Sequence, residues 1–464
     1  MSDMKATVDS SNDGFTVNGF EELKYGFKFV DHIFDAKHTH LADIYKKWGR
    51  CLLVTDGLVH DAYGKDMKTY FKTHNIPLTI HVMPGGEIHK TMETMLSLVD
   101  AFADFGLIRK EPVLTVGGGL VTDVCGFACA SYRRNSNFIR IPTSLIGLID
   151  AAVSIKVAVN HGKLKNRLGA YHAPSMTFLD LTFLRTLPEG QVRNGFAELV
   201  KISSVSDLRI WQLLEANGEA LIKSRFGRVD GTEPELSAIA DEICKRGIKV
   251  MLELESPNLH EIGLDRVIAF GHTWSPTLEL KPEIPLRHGH AINIDMAYST
   301  TLAWTRKYIS EDQRDEILGL MSRVGLSLDH ELFDEELLEA GTEAILQTRD
   351  GKQRFVVPKP IGTPHFINDA SMEELYTALK QHKMLCKRYP RQGAGIEAYV
   401  DAGDLGRDPQ ELLKEKSMTN GINGHIGADH VGAVNTKTAA VDGTGAALKS
   451  KGGAVIGNDG SCCA

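Results

Sequence analysis

The chain has 464 residues, 42% of them hydrophobic and 24% charged, a globular composition long enough for two sizeable cores and too long for one compact unit. A formal net charge of −8 gives no electrostatic case for nucleic acid, so a basic cluster is read as local and suited to a phosphorylated small molecule. The seven cysteines (Cys51, Cys125, Cys129, Cys244, Cys386, Cys462 and Cys463) lack metal-finger or redox-pair spacing, and Met-Ser-Asp-Met-Lys-Ala-Thr at the start has no apolar signal core, which leads to the expectation of reduced thiols in the cytoplasm. The longest apolar stretch, 145–159, is broken by Asp150 and Lys156, so no membrane span is expected.

In chain order, Cys51–Thr55 reads as a buried strand, Asp61–His74 as a helix and Pro77–Met83 as a second strand. Thr91–Phe105 reads as an amphipathic helix with Met95, Leu98, Val99 and Phe102 on one face, and Pro112–Val116 as a third buried strand. Strands spaced by helices imply parallel pairing and a doubly wound α/β sheet. From about Pro188 helical periodicity dominates to about Cys386, so the reading is an α/β domain over 1–187 and a mainly α-helical domain over 188–395. The remainder, 396–464, is rich in Gly, Ala, Asn, Asp and Lys beyond 417 and is expected to be a disordered tail.

Three groups of residues carry chemistry. The loop Val116-Gly-Gly-Gly-Leu-Val-Thr-Asp123 follows the third strand and precedes a helix, as a pyrophosphate-binding turn does. Thr122 stands where a strict pattern has its third glycine, so a plain tight turn fits as well. Asp56 at the end of the first strand and Pro84-Gly-Gly-Glu-Ile-His-Lys90 at the end of the second lie at the same sheet edge, although Asp56 also suits a turn and Lys90 a solvated helix start. Next, Tyr132-Arg-Arg134, Ile141-Pro-Thr-Ser-Leu145, Asp150, Lys156, Asn160 and Lys163-Leu-Lys-Asn166 place polar groups in an otherwise apolar segment. That arrangement is costly unless they are paired or bind something such as a phosphate with hydroxyl groups. Finally, Glu198, His272 and His288 offer a divalent metal one carboxylate and two imidazoles, leaving coordination positions open. Each histidine alone also fits a structural role, and Glu198 with Lys201 also fits a surface ion pair.

Pro-x-Gly-Glu-x-x-Lys, Gly-Gly-Gly-x-x-x-Asp, Ile-Pro-Thr-Ser-Leu-Ile-Gly-Leu-Ile-Asp, Ala-Glu-Leu-Val-Lys, Gly-His-Thr and His-Gly-His-Ala, in this order, resemble the sugar phosphate cyclases related to dehydroquinate synthase over about 15–395. The resemblance implies a Rossmann-like NAD-binding domain, a helical metal domain, catalysis in the cleft between them and a homodimer. It implies zinc or cobalt on Glu198, His272 and His288. Contacts to a sugar phosphate would come from Asp150, Lys156, Lys165, Asn166 and Lys201, with Arg134 reaching across the dimer. NAD contacts would fall on Asp56, Glu87, Lys90, Gly118, Gly119, Leu120, Asp123, Thr143, Ser144 and Thr186.

The departures from dehydroquinate synthase are Ala269, Pro276, the Thr143-Ser144 pair and His288-Gly-His290; for the family's helix lysine, Arg246 and Lys249 both stay open. Gly-His-Thr-Trp-Ser-Pro and Arg-His-Gly-His-Ala resemble the branch that uses sedoheptulose 7-phosphate. Ala269 and Thr348, where valiolone-forming relatives carry Asp and His, together with Asn258-Leu-His-Glu261 and Arg167-Leu-Gly-Ala-Tyr-His172, are most similar to 2-desmethyl-4-deoxygadusol synthases of mycosporine-like amino acid biosynthesis. The implied cycle is redox-neutral: transient oxidation by NAD, phosphate elimination, ring closure and loss of water. The alternatives are a 2-epi-5-epi-valiolone synthase, a 3-dehydroquinate synthase, a metal-dependent polyol dehydrogenase and a non-catalytic NAD-binding module.

Overall fold

Short buried runs of β-branched and aliphatic residues set the centre of the N-terminal half in the computed structural model, which describes residues 2–162, 164–389 and 398–400. A ribbon of β1 (Ser2–Ser11) and β2 (Gly14–Leu23) comes first, then β3 (Gly26–Phe29), α1 (His40–Tyr45), β4 (Cys51–Asp56) and α2 (Gly57–Thr73). There follow β5 (Leu78–Met83), α3 (Met92–Asp104), β6 (Val113–Gly117), α4 (Gly119–Ser131) and β7 (Phe138–Pro142). The hairpin β8 (Lys156–His161) and β9 (Leu164–Tyr171) precedes the last strand of the sheet, β10 (Met176–Leu179). The sheet is all parallel with order β3-β10-β7-β6-β4-β5.

Alternation explains why β4 and β6 read as continuous apolar runs. Cys51 and Leu53 enter one core with Leu114, Val116, Tyr45 and Phe71, whereas Leu52 and Val54 enter the opposite one with Val113, Leu98, Phe102 and Val124. A strand covered on both faces needs an apolar residue at every position.

The helical half contains α5 (Glu189–Ser206), α6 (Leu208–Lys223), α7 (Pro234–Glu255), the short α8 (Ser275–Glu279), α9 (His288–Thr305), α10 (Glu311–Arg323) and α11 (Glu335–Thr348). A two-stranded ribbon, β11 (Phe355–Pro358) and β12 (Pro364–Ile367), and α12 (Met372–Cys386) complete it. Helix α9 is its axis, buried without interruption from Gly289 to Ala303. Two of its buried polar side chains bond within the helical half: Tyr298 donates to the Leu375 carbonyl at 2.8 Å, and the Thr301 hydroxyl lies 2.8 Å from His382 Nδ1. Among the described residues no helix is long and apolar enough to cross a membrane, and Cys51, Cys125, Cys129, Cys244 and Cys386 are free thiols.

The strands and helices expected over 51–116 are present within a few residues of their ends. Three further strands of the sheet and the hairpins β1–β2 and β8–β9 add to them. The apolar stretch 145–159 is a tight turn of π geometry, Gly147–Ala151, that leads into β8. Of the segment expected to be a tail, 401–464 lies outside the described residues. Ala398–Val400 depart from that expectation: Leu286 and Tyr399 form an antiparallel bridge, and Ala398 and Val400 are buried.

Candidate active site

The chain leaves β4 and β6 toward opposite sides of the sheet, and such a reversal opens a crevice at the strands' C-terminal ends. A cleft of about 960 Å³ lies there, between the sheet and the helical half. Asp56 at the end of β4 accepts from the Val59 N–H at 3.0 Å and so caps α2, while also lining the cleft; burial pushes its carboxyl up. Gly118 is the N-cap of α4 and offers no side-chain cap, which leaves the first-turn N–H groups for an anion. Gly117 admits no side chain, because a Cβ would lie 2.6 Å from Val121. Thr122 turns its hydroxyl back to the Gly119 carbonyl at 3.0 Å.

Lys90 is not a solvated residue. It is 4% exposed and donates to Asp123 at 2.7 Å and to Asn166 at 2.6 Å. Burial works to lower its ammonium pKa, but Asp123 and Glu87 hold it raised. Glu87 accepts from Asn160 at 2.8 Å, and Asn160 accepts from the Asn166 N–H at 2.8 Å, tying the turn after β5 to the β8–β9 hairpin. The Thr186 hydroxyl lies 2.7 Å from that of Tyr63. Leu120, Thr143 and Ser144 complete this wall.

Opposite stands the carboxylate–imidazole group. Ligand atoms of Glu198 on α5, His272 before α8 and His288 at the start of α9 all lie within 4.8 Å of one another. His272 Nδ1 is 3.1 Å from the Phe270 carbonyl, so that nitrogen carries the proton and Nε2 keeps its lone pair. His288 Nδ1 faces Glu279 at 2.9 Å while its Nε2 faces Glu198 Oε1 at 3.1 Å. Glu198 Oε2 pairs with the Lys201 ammonium but makes no hydrogen bond of good geometry, although it is fully buried. An imidazole whose Nδ1 is held by a backbone carbonyl, a second whose Nδ1 is held by Glu279, and a fully buried carboxylate fit a divalent cation. Burial raises the Glu198 carboxyl, yet Lys201 and the imidazoles hold it well below the usual range. Burial and then the Lys201 charge push His272 well below its usual value, toward the neutral form that a ligand needs. Against its own burial, Glu279 is lowered to about 2 by Lys165 and His288.

The cations between these walls are paired with acids. Lys201 meets Asp150 at 3.2 Å, Lys156 meets Glu261 at 2.9 Å and Glu255 at 3.2 Å, Lys165 meets Glu279, and Arg266 meets Glu261. Fully buried Arg140 on β7 donates to the carbonyls of Ala151 at 3.4 Å and Ser154 at 2.6 Å, fixing the segment that runs from Asp150 to Lys156.

Of the residues expected in the site, Asp150, Lys156, Lys165, Asn166, Lys201, Ala269, His272, His288 and the ten nucleotide-side residues line this one cleft, with Glu198 buried directly behind. Two lie apart from it. Arg134 is exposed, on a turn at φ 68°, outside the cleft of its own chain. Thr348 is a correction: it is exposed at the end of α11, and its hydroxyl returns to the Ala344 and Ile345 carbonyls at 3.0 and 3.2 Å. Its neighbour Arg349 is the buried one, donating to the His272 carbonyl at 3.3 Å. Neither Arg246, bound to Asp207 at 2.8 Å, nor exposed Lys249 lines the cleft, whereas Arg266 does. His290 is buried beside Ser327 at 2.9 Å. Sequence reasoning missed Glu255, Arg266 and Glu279 because isolated charges on helical or loop sequence read as solvated; the pairing of Glu279 with His288 depends on a chain return.

Residues 80–194 match the family described as 3-dehydroquinate synthase N-terminal, and residues 195–353 the one described as 3-dehydroquinate synthase C-terminal. The chain is 55% identical over 399 residues to a demethyl-4-deoxygadusol synthase of Trichormus variabilis, covering 86% of this chain and 97% of that one. It is 37% identical over 370 residues to a 2-epi-5-epi-valiolone synthase of an Actinomyces species, covering 79% and 96%. A solved 2-epi-5-epi-valiolone synthase of Streptomyces hygroscopicus subsp. jinggangensis, with NAD+ and Zn2+ bound, superposes with a TM-score of 0.75 at 36% identity, covering 80% of this chain and 99% of that one. Domain matches across both halves, a relative sharing more than half of its residues, and one cleft that joins a glycine turn to a carboxylate–imidazole triad lead to one assignment: the chain belongs to the 3-dehydroquinate synthase family of sugar phosphate cyclases.

Proposed function

We propose that this protein cyclises sedoheptulose 7-phosphate, with loss of phosphate and water, to 2-desmethyl-4-deoxygadusol, acting as a carbon–oxygen lyase. The observation that carries the reading is the single cleft in which Glu198, His272 and His288 face the glycine turn with Lys156, Lys165 and Lys201 between them. The 55% identity to a synthase of that name sets the product. When bound, NAD supplies a reversible hydride acceptor and a zinc or cobalt ion a Lewis acid.

The chain's own residues do the rest. Glu198, His272 and His288 hold the cation, and the α4 N-terminus and Asp56 receive the nucleotide. Asp150 and Glu198 raise the Lys201 ammonium pKa against the effect of burial, and in the ammonium form Lys201 stabilises a developing oxyanion. Lys156, Lys165 and Asn166 take the phosphate and hydroxyl groups. We further infer a cytoplasmic homodimer in which exposed Arg134 reaches the neighbouring cleft, with the halves dividing at 187/188.

The test is direct. Purified protein with sedoheptulose 7-phosphate, NAD+ and Zn2+ should accumulate an ultraviolet-absorbing product and free phosphate in step, without steady build-up of NADH. Phosphate with a non-absorbing cyclitol points to the second reading, a 2-epi-5-epi-valiolone synthase. Of the two positions expected to separate the branches, Ala269 alone lines the cleft and Thr348 does not. NADH in proportion to turnover would instead indicate a polyol dehydrogenase.

A further inference from the structure

His288 is the first residue of α9 and follows the loop that leaves α8 after Glu279. Arg287, its N-cap residue, supplies no side-chain cap, so the position of the imidazole depends on what holds the backbone on either side. After it, the Gly289 N–H is held by the Asn194 side-chain oxygen on α5. Before it, the Arg287 N–H donates to the Ala398 carbonyl at 2.8 Å, and the Pro285 carbonyl accepts from the Val400 N–H at 3.0 Å. Leu286 between them bridges to Tyr399, and its own N–H returns to the Glu279 carbonyl at 3.0 Å.

We propose that Ala398–Val400 form a strap whose role is to position His288 for the metal, making Val400 and Ala398 positioning residues of the site. Ala398 is 2% and Val400 6% exposed, while Leu286 beneath them is 1% exposed. Val400 reaches the cleft wall beside Leu286 and His288. The Tyr399 hydroxyl, 2.9 Å from His330 Nε2, ties the strap to the helical half. Two backbone hydrogen bonds and buried apolar contacts at the residues just before a ligand fix its approach, as outer contacts do for metal-bound histidines. The functional chain therefore extends past α12 to Val400.

The inference rests on the metal reading, and the experiment separates the two. In the full-length chain, Val400→Pro removes the N–H that the Pro285 carbonyl uses, while Val400→Ala keeps it. Zinc affinity by chelator competition should weaken about tenfold to hundredfold in Val400→Pro. Val400→Ala, which keeps the N–H, should retain clearly more zinc affinity than Val400→Pro, and NAD affinity should be unchanged in both. Equal zinc affinity in Val400→Pro and wild type would overturn the strap alone. Loss of NAD binding along with zinc would also overturn it, since that pattern marks a general folding contact. A wild-type chain that takes up no zinc would sink the metal reading and the strap together.

Discussion

Glu279 touches His288 on one side and a cleft cation on the other, so a single carboxylate sets both the orientation of His288 and the place of Lys165. Glu279→Gln keeps the shape but loses the charge; zinc affinity should fall about tenfold to hundredfold, read by metal titration, with NAD affinity intact. His272→Ala should go further and lose metal and turnover together while the NAD half still folds. At the residue scale Glu198 was legible because its motif travels with two histidines in one order, whereas Glu279 had no such companions. Thr348 shows the converse: a position counted along a sequence says nothing of which way a helix end turns. Alongside His272, His382 adds to the acid sensitivity of the fold. Burial pushes its imidazole down to about 4, so the unfolded chain binds a proton first as pH falls. Its contribution is complete above about 6.5 and is lost between there and about 4, with a slope of at most ~1.4 kcal/mol per pH unit. Urea unfolding across that window should show a shallower slope in His382→Gln by about one proton; equal slopes would refute the assignment.

At the scale of elements, α5 matters most, because it carries Glu198 and Lys201 and lies against the turn that holds Asp150. A Cβ on Gly195 would stand 2.6 Å from the Ile146 backbone nitrogen and equally close to Leu145. Gly195→Ala should therefore cost about 1–3 kcal/mol by displacing that turn, seen as a lower Tm and a reduced kcat through the Lys201–Asp150 pair; an unchanged Tm would show that the contact relaxes freely. The parallel strands were legible since burial on both faces writes an unbroken apolar run. The β1–β2 ribbon was not, since Val8, Phe15, Val17 and Phe20 stay exposed between polar neighbours and give no core signal. The β8–β9 hairpin was hidden for another reason: after Leu164, β9 runs lysine, asparagine and arginine in succession, with no alternation, a pattern that reads as a basic binding loop before it reads as a strand.

Across the whole molecule, the two halves meet through ion pairs as well as through packing: Lys156 on β8 with Glu255 and Glu261, Lys165 on β9 with Glu279, and Asp150 with Lys201 on α5. A chain ended after Val400 should keep its fold, metal affinity and turnover, since the described site residues all precede that point; loss of any of these would assign work to the remainder. The ion pairs also change what binding means here. On the proposed reading, an arriving phosphate would meet lysines already neutralised by the protein's own carboxylates, so association would be an exchange of one anion for another. Glu261 is the incumbent at Lys156 and Arg266. Glu261→Gln should accordingly bind inorganic phosphate several-fold more tightly than wild type, by calorimetry; weaker binding would instead make Glu261 a prop for the cations. Without substrate the carboxylates hold these cations in position, in the place that the proposed phosphate would take.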